Sequence, residues 1–379
     1  MSVTYIGDYC DFAAGKVWKQ VSFNSCFHRR GWGQVISCSS TSAIFMLGGF
    51  DGSGQCLNDV WTSKDDGKSW AVVNPKCPWS GRAVFGACIS SDGSCFYVMG
   101  GSSTEKGGFC NDVWVSHDLG HSWRCASQTA EWCPRSGFAC AVNPANPNDI
   151  TVLGGSTTNF TCLNDAWRST DGGISWSPVC LKAPWEPRVD MATCQLPCGR
   201  ILISGGDDWE HNFYGDIWSS DDRGSTWSVV TASAPWQARA GHAMLPLADG
   251  SLRLIGGNVT CLKANKAFRE HDIERLSDVW TSIDGGKTWR ILSRETDFGP
   301  RTLHKAIATA DGRGVVLIGG WQGASGRWQQ SNAFYGDVWL SRPHAKELNR
   351  QSKILTVIGS YLPIAEDVWR ENVIPCLLL

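Results

Sequence analysis

Six arginines, Arg30, Arg82, Arg135, Arg188, Arg239 and Arg301, each stand three positions after an aromatic residue: Phe27, Trp79, Trp132, Trp185, Trp236 and Phe298. A guanidinium stays charged at neutral pH and offers a planar fork that matches a carboxylate, so six in a ring would concentrate positive potential for an anionic partner. The competing role is structural, each arginine bonding main-chain carbonyls of the next repeat. Three residues further on the chain carries Gly33, Phe85, Phe138, Met191, His242 and His304, so histidine occurs at this position only twice. Trp32, Trp209, Trp321 and Trp328 also stand outside the repeated positions. Such departures point to binding better than constant residues do, because architecture does not require them. Only six tyrosines are available as phenolic nucleophiles, and the eight histidines lack ligand-like spacing. No catalytic set, metal or cofactor is expected.

The elements that position these residues are repeats. The tract NDVWTSKDDGKSW (58 to 70) returns at 111 to 123, 164 to 176, 214 to 227 and 276 to 289, and a sixth copy, YGDVWLS (335 to 341), stops halfway. Upstream of each copy an apolar segment ends in a glycine pair: Gly48-Gly49, Gly100-Gly101, Gly154-Gly155, Gly205-Gly206, Gly256-Gly257 and Gly319-Gly320. Each arginine precedes its pair by 17 to 19 residues, and the intervening sequence reads as two short strands around a turn such as SSDG (90 to 93). DVW-x-S supplies a third strand and the tract through the final tryptophan a fourth. Four antiparallel strands repeated six times predict an all-β, six-bladed propeller. Residues 15 to 21, GKVWKQV, match a fourth strand without the three before it. Pairing them with the strand around Trp339 would close the ring three strands plus one and cover both open edges.

The glycine pairs, the D-x-W strands and the arginine that opens each unit resemble kelch repeats, over residues 1 to about 343. The segments beginning at Ser63, Ser116, Ser169, Ser220 and Ser282 are also similar to the Asp-box pattern S-x-D-x-G-x-[ST]-W of sialidases and related propellers. In that pattern Ser and Asp bond the backbone of a tight turn, Gly supplies a positive φ and Trp packs over the hairpin. The kelch resemblance implies a ring of Arg30, Arg82, Arg135, Arg188, Arg239 and Arg301 at the channel mouth, reading an acidic motif of a protein partner. The sialidase resemblance implies a glycoside hydrolase, but Tyr214 and Tyr335 sit at repeat-equivalent places and no arginine lies in an aromatic-Arg-Ile-Pro opening.

Composition sets the remaining limits. The chain has 379 residues, 42 Gly, 21 Trp and a formal charge of −2, so there is no global basic field to hold nucleic acid. Its 17 cysteines include no C-x-x-C pair and recur at repeat positions: Cys56, Cys110 and Cys162 before the D-x-W aspartates, and Cys88, Cys140 and Cys194 at a second place. This spacing predicts reduced, buried filler. The N-terminus carries no signal-peptide pattern, so a cytoplasmic location is expected. The connections 258 to 276 and 321 to 334 are long enough to overhang one face. After a propeller over 1 to 343, residues 344 to 379 change composition, and Leu348, Leu355, Ile358 and Leu362 predict a helical tail from about 344 to 360. The last four residues, Cys376 to Leu379, fit a prenylation signal and make Cys376 a candidate membrane tether. The expectation is a non-enzymatic scaffold for protein–protein interaction, with an Asp-box hydrolase or a carbohydrate or small-anion binder as the alternative.

Overall fold

The computed structural model describes residues 14–22, 27, 29–51, 53–210, 212–260, 273–322 and 334–343. Trp328, Cys376 and the tail from 344 onward lie outside them. A single strand at the N-terminal end, β1 (Lys19–Ser22), precedes blade one: β2 (Gln34–Cys38), β3 (Ala43–Phe50), β4 (Cys56–Ser63) and β5 (Ala71–Asn74). Blade two is β6 (Gly86–Ile89), β7 (Phe96–Ser103), β8 (Gly108–Ser116) and β9 (Arg124–Ser127). Blade three adds a two-residue strand, β10 (Arg135–Ser136), to β11 (Ala139–Val142), β12 (Ile150–Thr157), β13 (Cys162–Ser169) and β14 (Ser177–Cys180). Blade four is β15 (Ala192–Gln195), β16 (Ile201–Ser204), β17 (Ile217–Ser220) and β18 (Ser228–Thr231), and blade five β19 (Ala243–Pro246), β20 (Leu252–Thr260), β21 (Ile273–Ser282) and β22 (Arg290–Ser293). Blade six holds β23 (Lys305–Ala308), β24 (Val315–Ile318) and β25 (Val338–Ser341), and its fourth strand is β1. Every ladder is antiparallel, so the chain is an all-β, six-bladed propeller.

The closing strand pairs in the register expected of it, with Gln20 opposite Trp339 and Lys19 opposite Leu340. Just before it, Trp18 Nε1 donates to Gly15 O at 2.8 Å, and the ring meets Phe298 edge-on at 4.9 Å. The other five blades contain the same T-shaped contact, as in Trp132–Trp176 at 5.9 Å and Trp236–Trp289 at 4.7 Å. These pairs anchor the apolar layers packed between neighbouring blades, where Trp132, Trp185 and Trp79 are almost wholly buried.

Three details differ from the sequence expectation. The fourth strands begin after the final tryptophan, because the tract before it is occupied by the turn. In that turn Gly67 N donates to Ser63 Oγ at 2.9 Å, Ser69 Oγ to Asp65 Oδ2 at 2.6 Å, and Trp70 Nε1 to Gly67 O at 3.1 Å. The hairpin of blade five extends to Thr260 and resumes at Ile273, so both ends of the connection placed at 258 to 276 are strand. Cys140 also does not share the orientation of Cys88 and Cys194. Those two are buried, whereas Cys140, one position earlier relative to its arginine, is only half-buried. Every described cysteine is a free thiol.

Removing residues 1–22 should strip blade six of its outer strand and lower the melting temperature of the whole ring. Trp18→Ala alone should cost about 3–5 kcal/mol, the usual range for emptying a buried tryptophan site. Thermal unfolding followed by circular dichroism measures both, and a truncated chain that melted with the full-length protein would undo the closure.

Candidate functional site

The site is built on the six arginines, but not as a surface they present. Arg82, Arg135, Arg188 and Arg301 have no exposed area, Arg239 has 1% and Arg30 4%. Each guanidinium makes the same three contacts within its own blade. Arg82 Nη1 donates to Gly100 O at 3.0 Å, and Nη1 and Nη2 fork onto Asp112 at 2.9 and 3.0 Å. Arg30 takes Gly48 O and Asp59, Arg135 Gly154 O and Asp165, and Arg188 Gly205 O and Asp216. Arg239 takes Gly256 O and Asp278, and Arg301 Gly319 O and Asp337. Each aspartate is the D-x-W residue and also accepts the indole N–H two positions on, as Asp112 does from Trp114 at 3.0 Å. Burial works against the Asp112 carboxylate, yet hydrogen bonds and charge from Arg82 hold it down at about 2.

The main chain of four arginines joins the preceding blade. Arg82 N donates to Leu57 O at 3.0 Å and Arg82 O accepts from Gly49 N at 2.9 Å, and the pattern returns at Arg188, Arg239 and Arg301. The forks are occupied by carboxylates of the same chain, so an acidic motif would have to displace an aspartate from a dry site. The interblade bonds, for their part, come from the arginine backbone and not from its side chain.

Two positions counted from the lock form the channel mouth. The second residue after each arginine is Trp32, Val84, Gly137, Asp190, Gly241 or Leu303, and all six have left-handed φ between 52° and 62°. Their amides run head to tail around the axis: Val84 N to Trp32 O, Gly137 N to Val84 O, Asp190 N to Gly137 O, Gly241 N to Asp190 O and Leu303 N to Gly241 O, at 2.7–3.0 Å. The residue after each glycine pair, namely Phe50, Ser102, Ser156, Asp207, Asn258 or Trp321, bridges the residue after the arginine and forms a second, wider ring.

Above the mouth opens a cavity of about 590 Å³ with contributions from all six blades. Its walls are aromatic and aliphatic, with Trp32, Phe109, Phe160, Trp209, Phe213 and Trp321 as the large faces. At the lip, Phe160 and Trp209 meet edge-on at 5.8 Å while remaining 63% and 43% exposed. The polar groups are few. Burial in the mouth raises Asp190 to about 6, with Lys305 opposing, and burial together with the Asp190 charge raises Asp207 to about 8. Asp207 Oδ1 is buried without a hydrogen-bond partner. Arg275 lies over the Trp321 ring at 4.4 Å, with Nε and Nη2 unpartnered, and burial lowers its pKa.

Trp32, Trp209 and Trp321, which stood out from the repeat, therefore meet in one cavity. His242 and His304 do not. They lie below the mouth beside a channel of about 420 Å³, in the packing position that Phe85 and Phe138 fill elsewhere. Burial, then Arg301 and Lys305, press His304 down to about 3, and burial holds His242 neutral as well. Asp190, Asp207, Arg275, Phe160 and Phe213 were missed. Reading the residue after each glycine pair and the second after each arginine would have found the two aspartates. Tyr214 and Tyr335 stack on Arg188 and Arg301 at 4.1 and 3.8 Å, outside the cavity lining, and burial raises both phenols, Tyr214 to about 12. Among the described residues no group of three His, Cys, Asp or Glu side chains could hold a metal ion.

Arg135→Ala should destabilise the protein by about 3–5 kcal/mol, since it leaves Asp165 as an uncompensated charge, and the double variant Arg135→Met/Asp165→Leu should recover most of the loss. Urea unfolding measures this, and a fully stable Arg135→Ala would show that the fork is dispensable. His304 adds a pH dependence. Its folded pKa lies below the unfolded one, so the unfolded chain binds the extra proton, and stability present above about pH 6.5 is lost as pH falls toward 3. His304→Phe, the side chain that blades two and three carry there, should therefore gain more in melting temperature at pH 5 than at pH 7.5.

Residues 86–320 match the KLHDC2/KLHL20/DRC7 Kelch-repeats domain. Among curated proteins, Adagio-like protein 1 of Oryza sativa subsp. japonica is 29% identical over 214 residues, covering 51% of this chain and 33% of that protein. Adagio protein 3 of Arabidopsis thaliana is 26% identical over 205 residues, 50% of this chain and 32% of that protein. The match thus spans about a third of the length of these relatives. The solved structure of YjhT superposes with a TM-score of 0.63 at 15% identity, over 84% of this chain and 96% of that one, a likeness of fold alone. Because the domain match covers more than half of the chain, within a ring of six four-stranded blades, this protein belongs to the kelch-repeat propeller family.

Proposed function

We propose that this propeller is a non-enzymatic interaction module that captures a protein partner on the face where the large cavity opens. The observation that carries this reading is the lip of the cavity. Phe160 and Trp209 leave large aromatic surface in water beside a concave pocket, the combination that marks hot-spot recognition. A partner side chain entering the pocket would meet preformed walls on rigid strands, with little to order on binding. Recognition of an acidic motif by the arginines finds no support in their geometry, since all six forks are already engaged. A hydrolase reading is likewise disfavoured, because the raised phenols of Tyr214 and Tyr335 lie over buried guanidiniums and away from the paired carboxylates. The free thiols of the described cysteines favour a reducing compartment such as the cytoplasm. Among the described residues no helix is long and apolar enough to cross a membrane. Membrane association would rest on prenylation of Cys376, which lies outside the described residues.

The test compares the intact protein with its Trp209→Ala/Phe160→Ala form as baits in extract from the native host, read by mass spectrometry. Both substitutions are at exposed positions, so the melting temperature should hold while partners recovered by the parent fall at least tenfold. Equal recovery by both baits would move the interface elsewhere.

A further inference from the structure

Charge is distributed unevenly around the cavity. Blade four places a carboxylate at both ring positions, Asp190 in the mouth and Asp207 after the glycine pair, and the following connection adds Asp208 and Glu210. Their convergence registers on Cys162 of the neighbouring blade, whose thiol is raised to about 12 by burial and then by Asp207, Asp208, Asp190 and Glu210. Asp208 is engaged by Asn212, but Asp207 keeps a buried oxygen with no partner. The cations near this cluster are few. Lys305 lies in the channel below the mouth, and Arg275 stacks on Trp321 without contributing to the titration of Asp190 or Asp207. The opposite wall, from blades six and one, is Trp321, Leu303 and Trp32.

Two half-buried acidic side chains inside one aromatic concavity, Asp207 held protonated near neutral pH by burial and by the charge of Asp190, are complementary to a cation carried on an apolar stem. A cation favours the ionised form of both and satisfies the orphaned oxygen with charge-assisted hydrogen bonds. Its methylenes cover ring faces, and its charge gains from their quadrupoles. We propose that the cavity takes a basic side chain, lysine or arginine, presented by a peptide segment of the partner, with its cation delivered to Asp190 and Asp207 and its stem laid on Trp32 and Trp209. This rests on the reading that the open face is the partner surface.

Fluorescein-labelled Gly-Ser-Gly-X-Gly-Ser peptides, with X as Lys, Arg, norleucine or Glu, are titrated against the full chain by anisotropy at pH 7.5. The Lys and Arg peptides should bind at least tenfold more tightly than the other two, and n-butylammonium should displace them where butyrate does not. Asp190→Asn/Asp207→Asn should bring all four within twofold of one another at an unchanged melting temperature, asparagine being well suited to the left-handed φ at 190. Should that pair fail to fold, Asp207→Asn alone and the butylammonium competition carry the same decision. Equal binding of Lys and norleucine, no measurable binding of any peptide, or a basic preference that survives the asparagine substitutions would each overturn the proposal. A preference for Glu would also overturn it and give the cavity to Arg275. If Trp209→Ala/Phe160→Ala abolishes partner capture and the asparagine variants do not weaken it, the face stands and the basic specificity falls. If neither set of variants affects capture, the face itself is wrong.

Discussion

A guanidinium with almost no exposed surface is tolerable only when its charge and its N–H groups are answered in place, and six such groups hold this ring. Each arginine sends its fork to an aspartate and a glycine carbonyl of its own blade, and the backbone of Arg82, Arg188, Arg239 and Arg301 completes the edge of the blade before. A buried ion pair of this kind adds little net stability over an apolar substitute, though removing one partner is expensive. Its value here is geometric. One residue fixes strand three to strand two within a blade and aligns two blades along the same line. The glycine pair follows from the same demand. At Gly100 a φ of 54° turns the carbonyl out of the ladder toward Arg82, and at Gly101 a Cβ would come within 2.4 Å of Phe85 Cβ.

Once the lock is set, positions at fixed offsets from it are carried to the mouth whatever their identity. That is why Val84 and Leu303 adopt left-handed φ, which for side chains of their shape costs on the order of 1–2 kcal/mol. The strain is held by the chain of five amide bonds that runs from Trp32 to Leu303 around the axis. Side chains at these offsets carry no load in the lock and are free to differ. The floor accordingly runs through tryptophan, valine, aspartate and leucine, and the wider ring through phenylalanine, serine, aspartate, asparagine and tryptophan. Uniform architecture therefore produces an asymmetric cavity.

This division explains what was legible in the sequence. Blade number, strand order and the closure by GKVWKQV could be read because the residues that fix them recur, with Trp18 and Phe298 as the split copy of a contact seen whole at Trp132 and Trp176. The start of each fourth strand could not, since the Ser-Asp turn takes up the preceding residues by side-chain bonds that leave no periodicity. The arginines were visible, but their direction was not: periodicity shows which residues recur, and the pairing of Arg82 with Asp112 across 30 positions exists only once three strands are aligned. Searching for departures from the repeat brought out Trp32, Trp209 and Trp321, which line one cavity. The same search also selected His242 and His304, which depart in chemistry while filling an apolar packing position as neutral rings. Asp190 and Asp207 escaped because each looks unremarkable at its own repeat position, and only the fold brings both to one cavity.

The lock also bears on what the overall charge of −2 means. By pairing each of six arginines with an aspartate largely shielded from solvent, it removes equal numbers of both signs from most of the field a partner meets. Local potential is then left to charges that take no part in the lock. Around the mouth these are mainly carboxylates of blade four, in a concave site whose walls exclude water and strengthen every interaction within it. A nearly neutral chain can thus present an acidic recess, and the arginine count does not oppose it, because those arginines are the cations that the fold has already neutralised.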